Sequence, residues 1–206
     1  MAKQGRIRVI GLTGGIATGK STVARLLEER GAVVIDADSL SREAVRPGSD
    51  ALEQITALFG PEILLADGSL DRKRLGRLVF ADPARRRQLE AITHPAIRRL
   101  ADERISRLAA GGERVVFYMA PLLIEAGATD RVGEIWVVTV RPEIQLERLM
   151  ARDAIGREEA GRIIASQMPL AEKERHGRVV IDNSGTPDDT RRIVAEIWER
   201  EIGTNR

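Results

Sequence analysis

The sequence predicts an α/β protein of three layers, α/β/α, in which helices cover both faces of a five-stranded parallel sheet. Three observations carry this. Five short apolar runs are continuous, as strands buried on both faces are: Ile7 to Leu12, Val33 to Ile35, Val115 to Met119, Ile135 to Val140 and Val179 to Ile181. Helical patterns separate them, and strand, helix, strand alternation favours parallel pairing. A glycine-rich stretch follows the first run and leads into a helix, which places ligands beyond the carboxyl ends of the strands, where Gly14, Asp36 and Pro121 emerge.

Taken in order, the first strand and its glycines lead to a helix from about Lys20 to Arg30, which Gly31 closes as a C-cap. The second strand ends at Asp36. Almost eighty residues separate it from the third strand, too many for one crossover, and they read as helices over about Ala51 to Phe59, Arg72 to Phe80 and Pro83 to Ala109. His94-Pro95 predicts a junction in this insertion, because proline favours the first turn of a new helix. A second insertion, from Arg141 to about Arg178, is rich in Arg, Lys and Glu and reads as a lid. The expected organisation is one domain with a core (1–38, 110–140, 177–206), a helical insertion (39–109) and a lid (141–176).

Composition removes several functions. Among 206 residues, 33 Lys and Arg face 31 Asp and Glu, a net charge of +2, so a basic nucleic-acid-binding stripe is not expected. Aromatic content of 3% argues against stacking platforms for single strands. With no cysteine, disulfides, thiolate metal sites and a Cys nucleophile are excluded together, and two histidines make no zinc site without carboxylate help. The longest apolar stretch, Val115 to Ile124, contains Pro121 and is about half of the ~20 residues a membrane helix needs. Arg8 interrupts the only apolar stretch near the N-terminus, so no secretory leader is expected. The expectation is a soluble, cytoplasmic protein with no membrane, nucleic-acid or obligatory protein partner.

The chemistry begins with Gly14-Gly15-Ile16-Ala17-Thr18-Gly19-Lys20-Ser21, which matches G-x-x-x-x-G-K-[ST] between a strand and a helix start. Glycines let the backbone approach phosphates, successive N–H groups face them, and the helix N-terminus adds partial positive charge. Lys20 would reach the β and γ phosphates, and the Ser21 hydroxyl would join a Mg²⁺ shell. The bland alternative is a glycine turn that starts a helix and binds nothing. No Asn-Lys-x-Asp guanine reader occurs, which argues against a GTP switch. Asp36-Ala37-Asp38 ends the second strand, offering one carboxylate to accept a hydroxyl proton and one to hold Mg²⁺ through water. Alternatively, Asp36 ends the strand and Asp38 caps the next helix. Arg148 and Arg152, four apart on one helix face, fit either a clamp on a transferring phosphoryl group or a solvated face paired with Glu147 and Asp153. By itself His94 reads as structural more readily than as a ligand contact.

Over nearly its whole length the chain resembles the dephospho-coenzyme A kinases, in the nucleoside-monophosphate-kinase-like branch of P-loop proteins. The likeness rests on Gly11-Leu12-Thr13-Gly14-Gly15 with Gly19-Lys20-Ser21-Thr22, on Asp36-Ala37-Asp38, Pro47-Gly48, Phe59-Gly60 and Asp67 to Arg72, and on Val79-Phe80 and His94-Pro95. It continues through Pro121-Leu122-Leu123 with Glu125, Gln145 with Arg148 and Arg152-Asp153, Gln167, and Ile181-Asp182-Asn183-Ser184-Gly185. The resemblance implies transfer of the ATP γ-phosphate to the ribose 3′-hydroxyl of dephospho-coenzyme A, on a five-stranded core with a coenzyme A-binding insertion and a lid.

By that likeness Asp38 is the base, and Lys20, Arg148 and Arg152 act on the phosphoryl group. Gly15 to Thr22 and Asn183 bind ATP, with Asn183 near adenine. Asp36, Asp38, His94, Arg98, Pro121 and Leu122 line the acceptor side, and Ser21 and Asp36 attend Mg²⁺. The sequence departs from the pattern at Met119, where many relatives have an acid, at Ala17-Thr18, where they often have Gly-Ser, and at Ile163, where an arginine is frequent and Arg162 stands next door. A kinase of another small alcohol or nucleotide, and an ATPase coupled to a protein partner, are the competing readings.

Overall fold

The computed structural model describes residues 7–80 and 82–203. The leader expectation rests partly on residues 1–6, which lie outside the described residues, as do the last three of the expected core. Strands β1 (Arg8–Gly14), β2 (Val33–Asp36), β3 (Val115–Met119), β4 (Glu134–Thr139) and β5 (Val179–Asp182) form a five-stranded parallel sheet in the order β2-β3-β1-β4-β5. The central β1 pairs Leu12 with Met119 of β3 and Gly14 with Val138 of β4. From β1 the chain crosses towards β2, and from β4 it crosses towards β5. The connections therefore diverge between β1 and β4, and the carboxyl end of β1 opens into a crevice of the kind that α/β sheets use for ligands.

Burial explains why β1 has no polar alternation: Ile10, Leu12 and Thr13 are fully buried. Helices α1 (Lys20–Glu28) and α9 (Pro187–Glu201) pack Val23, Leu26, Leu27, Val194, Ile197 and Trp198 onto the sheet. There the Phe117 and Trp136 rings meet edge to face at 5.1 Å and 73°, a contact that contributes about 0.5–1.5 kcal/mol beyond area burial. At α1 the Ala32 N–H reaches the Leu27 carbonyl and the Gly31 N–H reaches that of Glu28, with Gly31 at φ +90°, so the expected glycine stop is a Schellman closure. Thr186 and Asp189 cap each other reciprocally at the start of α9.

Far from the carboxyl ends of the strands, Arg8 and Arg178 both pair with Glu134, at 2.7 and 3.0 Å, and Arg178 also reaches Glu201 at 2.6 Å. The Arg200 and Arg178 guanidiniums hold the Glu201 carboxyl below its ordinary range. These pairs fasten β1, β4 and the last helix together at the end of the sheet away from the glycine loop.

The stretch 141–176 forms α6 (Pro142–Asp153), α7 (Arg157–Ala165) and α8 (Leu170–His176), and it groups with the sheet in one compact unit. Within it Gln145, Leu149, Ala160 and Lys173 are buried.

A second compact unit spans Asp36–Gly112, where the sequence led us to expect 39–109. It contains α2 (Ala37–Ala44), α3 (Asp50–Phe59), α4 (Arg72–Phe80) and α5 (Pro83–Ala110). These helices close over their own core of Ile55, Phe59, Ile63, Leu75 and Ala96. The expected junction at His94-Pro95 does not form: α5 runs unbroken through Pro95. An interior proline costs a helix about 3 kcal/mol. Packing of Leu89, Ile92, Ala96, Ile97 and Leu100 into the helical core, on both sides of the proline, holds the helix against that penalty. No helix among the described residues is long and apolar enough to cross a membrane.

Candidate active site

The glycine loop joins β1 to α1 as the motif requires. Gly19 sits at φ +82°, and a Cβ there would collide with the Asn183 carboxamide, so both conformation and space demand glycine. No side chain caps α1, which leaves its N-terminus to an anion. Lys20 is the first residue of that helix and half-buried, and Ser21 and Thr22 follow in its first turn. Thr18 is fully buried and its hydroxyl donates to the Gly15 carbonyl at 3.0 Å, bending the loop back on itself. Ala17, between them in the chain, adopts φ +59°, a left-handed conformation unusual for a residue with a side chain.

Side chains distant in sequence hold this loop. The Ile16 N–H donates to Gln167 Oε1 at 2.8 Å, and Gln145 Nε2 donates to the Ile16 carbonyl at 2.8 Å. Asn183, itself buried, donates through Nδ2 to the Thr18 carbonyl at 2.7 Å and accepts from the Thr190 hydroxyl. The predicted nucleotide residues Ile16 and Asn183 thus serve the loop itself in this form: both polar groups of Ile16 are taken, and the carboxamide of Asn183 is anchored at each end. Sequence reading noted Gln145 and Gln167 without a role, and no local signal could have given one.

Beside the loop, the Pro121 carbonyl accepts from the Thr13 hydroxyl at 3.2 Å and from Lys173 Nζ at 3.0 Å. Lys173 is fully buried and also pairs with Glu125 at 2.6 Å, so α8 is pinned to the turn after β3. Leu123 fills the core beneath that turn while Leu122 stays about half exposed, as an apolar contact for a ligand would be.

Arg148 is half-buried, and its Nη1 lies 3.9 Å from where a Cβ on Gly19 would stand, so it reaches the phosphate loop. Arg152 is exposed and gives two hydrogen bonds to Asp153, at 2.7 and 2.9 Å. Those bonds hold the Asp153 carboxyl below its ordinary range. The two arginines, alike in sequence, therefore differ: one is at the loop and the other is bound to a neighbour. Arg162, the displaced arginine, pairs with Glu158 at 2.9 Å on the surface of α7.

In the helical unit, Asp36 and Asp38 also separate. Asp36 is the N-cap of α2, with Oδ1 accepting from the Asp38 N–H at 3.1 Å and Oδ2 from the Ser39 hydroxyl at 2.9 Å. The cap is therefore Asp36, where the bland reading put Asp38. The Asp38 carboxylate is exposed and makes no hydrogen bond or ion pair among the described residues. His94 and Arg98 are four apart on α5, both exposed. Arg98 pairs with Asp102 at 3.9 Å and lines an open groove of about 750 Å³ with Pro95, Arg99 and Arg107.

Among the described residues no cluster of three or more His, Cys, Asp or Glu could hold a metal alone. Magnesium fits the donor set on other terms. It is commonly held by substrate phosphates with only one or two protein oxygens, and Ser21 presents an exposed hydroxyl at the head of α1.

A parallel sheet with this strand order, a glycine loop feeding the uncapped helix after β1, and an arginine at that loop define a P-loop phosphotransferase. The dephospho-CoA kinase family model matches residues 8–189. A dephospho-CoA kinase of Geobacter sulfurreducens is 59% identical over 196 residues, covering 95% of this chain and 100% of the relative. A crystal structure from Thermus thermophilus superposes with a TM-score of 0.83 at 38% identity, over 96% of this chain and 100% of the other. A dephospho-CoA kinase from Campylobacter jejuni gives 0.73 at 30%, over 95% and 98%. This chain belongs to the dephospho-CoA kinase family, whose reaction is the ATP-dependent phosphorylation of dephospho-coenzyme A in coenzyme A biosynthesis.

Proposed function

We propose that this chain transfers the ATP γ-phosphate to the ribose 3′-hydroxyl of dephospho-coenzyme A, with Asp38 as general base. The observation that carries the assignment of the base is the contrast between two neighbouring carboxylates: that of Asp36 is engaged by two donors of α2, whereas that of Asp38 has no protein partner among the described residues. In the reaction the 3′-oxygen bonds to the γ-phosphorus, the bond from that phosphorus to the bridging oxygen of ADP breaks, and the hydroxyl proton passes to Asp38. Lys20 and Arg148 offset charge on the phosphates as the bond to ADP lengthens.

Arg152 joins them by exchanging Asp153 for the phosphoryl group. A magnesium ion bound with the nucleotide, with Ser21 as its protein ligand, supplies positive charge to the phosphates. Asp36 keeps its helix cap and has lone pairs left to order a water. The 39–109 insertion takes the coenzyme A moiety, with His94 and Arg98 on α5, while Pro121 and Leu122 provide an apolar contact for the acceptor and 141–176 acts as the lid. The nucleotide lies along Gly15 to Thr22, with its base towards Asn183. Both substrates are small and soluble, the reading calls for no nucleic acid, membrane or protein partner, and it sets the enzyme in the cytoplasm.

Mass spectrometry of products from ATP and dephospho-coenzyme A tests the reaction: ATP consumption must depend on the acceptor and yield coenzyme A. Asp38→Asn should lower kcat at least ~10²-fold with ATP affinity unchanged, the lower range for general base catalysis. An active Asp38→Asn beside a dead Asp36→Asn that still binds ATP would reverse the two roles.

A further inference from the structure

We infer that Gln145 and Gln167 are positioning residues. Acting together on one backbone residue, Ile16, they hold the phosphate loop in its anion-binding form and couple it to the arm that carries Arg148 and Arg152. The inference rests on the reading of the loop as the ATP phosphate site.

Three observations support it. Both polar backbone groups of Ile16 are bonded to side chains from outside the loop, each at 2.8 Å. A loop peptide left to itself would turn such groups to water, and two ties on one residue fix its orientation about the chain axis. The next residue, Ala17, stands at φ +59°, and the one after it, Thr18, is held at its carbonyl by Asn183. An unfavourable backbone conformation persists only where its surroundings over-determine it, and here ties on either side do so.

The third observation is where the two glutamines stand. Gln145 lies in the first turn and a half of α6, three residues before Arg148, and Gln167 stands just past Ser166, the C-cap of α7. They bracket the α6–α7 arm, so both of its ends meet at the Ile16 peptide. A shift of the loop on binding phosphate is thereby passed to both ends of the arm, and a shift of the arm is felt at the loop. Neither glutamine needs to touch substrate for this.

The test uses Gln167→Met and Gln145→Met, which keep side-chain length and remove the carboxamide. Loss of one such bond is worth about 2- to 12-fold in an equilibrium constant. Calorimetry should show ATP binding weakened by ~3- to 10-fold in each variant, with KM for dephospho-coenzyme A unchanged. The double variant should weaken ATP binding by less than the product of the two, because both side chains act on one residue. Unchanged ATP affinity with a lowered melting temperature would make the bonds purely structural and overturn the inference.

A measurement on the wild-type protein stands beside these variants in case they do not fold. In the absence of nucleotide the Ile16 amide should exchange with solvent deuterium at least ~10-fold more slowly than that of Ala17. Equal exchange would overturn the inference as well. Wild-type protein that fails to bind ATP or to phosphorylate dephospho-coenzyme A would instead refute the functional reading, so the two failures are separable.

Discussion

The two compact units treat polar side chains in opposite ways. In the unit built on the sheet, Thr13, Thr18, Gln145, Lys173, Asn183 and Thr190 are buried, and each has a hydrogen-bond partner in or beside the phosphate loop. In the helical unit the buried side chains named above are apolar, and Asp38, His94 and Arg98 lie at the surface. A buried polar group without a partner costs about 1–3 kcal/mol, so a buried polar network permits few arrangements. The polar network of the first unit is therefore fixed without a ligand. On the proposed function the second offers charges that gain specific partners from the acceptor, and its own stability comes from apolar packing.

This contrast can be broken by experiment. The largest effect is expected at Lys20: Lys20→Ala should lower kcat by about 10³-fold, with circular dichroism and melting close to wild type. A folded variant with near-wild-type turnover would remove the sheet unit from the chemistry.

Arg148→Ala should follow, with kcat lower by at least ~10²-fold and little change in melting, because Arg148 has no carboxylate partner among the described residues and even paired surface arginines contribute only about 0–1 kcal/mol to folding. If it melts early and turns over normally, Arg148 belongs to the scaffold.

The buried lysine sharpens the comparison from the stability side. Lys173→Met leaves Glu125 without its partner and removes a donor from Pro121. Breaking a buried pair costs about 3–5 kcal/mol, and the partial exposure of Glu125, 22%, sets the expectation at the low end. A loss of ~3 kcal/mol in a protein of this size corresponds to a Tm lower by roughly 6–12 °C. A drop of less than about 2 °C would show that burial of polar groups in this unit is not a source of rigidity.

Arg152 and Asp153 give a smaller signal, read by pH. The depressed folded-state pKa of Asp153 means that its pairing adds stability above the unfolded value and loses it as pH falls through the folded value. Both groups are at the surface, so the melting temperature near neutrality should not change in Arg152→Ala. NMR titration of the Asp153 carboxyl should nevertheless move up to the ordinary aspartate range. No movement would mean that the guanidinium leaves Asp153 in solution.

The smallest effects belong to α5. His94→Ala and Arg98→Ala should alter stability by no more than about 0.5 kcal/mol, and any activity change should fall on KM for the acceptor and not for ATP. A stability loss above 1 kcal/mol would place these residues in the scaffold of the helical unit.

Much of this was readable from the chain. Continuous apolar runs with polar edges located all five strands to within two residues, because a strand buried on both faces leaves no room for polar side chains. The helical pattern over Pro83 to Ala109 placed α5 to within one residue of its observed span, Pro83–Ala110. The phosphate loop was legible because glycine spacing, lysine and helix start act over eight consecutive residues.

What the sequence left open was decided by packing. Pro95 looked like a helix boundary, and the helical core on both sides of it overrode that preference. Arg148 and Arg152 share a helix face, yet only one reaches the loop. The capping alternative fell on Asp38 in sequence, and side-chain geometry gave the cap to Asp36 and left the Asp38 carboxylate exposed. The ties on Ile16 come from residues 129 and 151 positions away, and no local pattern announces them. A hydrogen bond between distant residues depends on how the strands and helices between them pack, and that arrangement exists only once the sheet has formed.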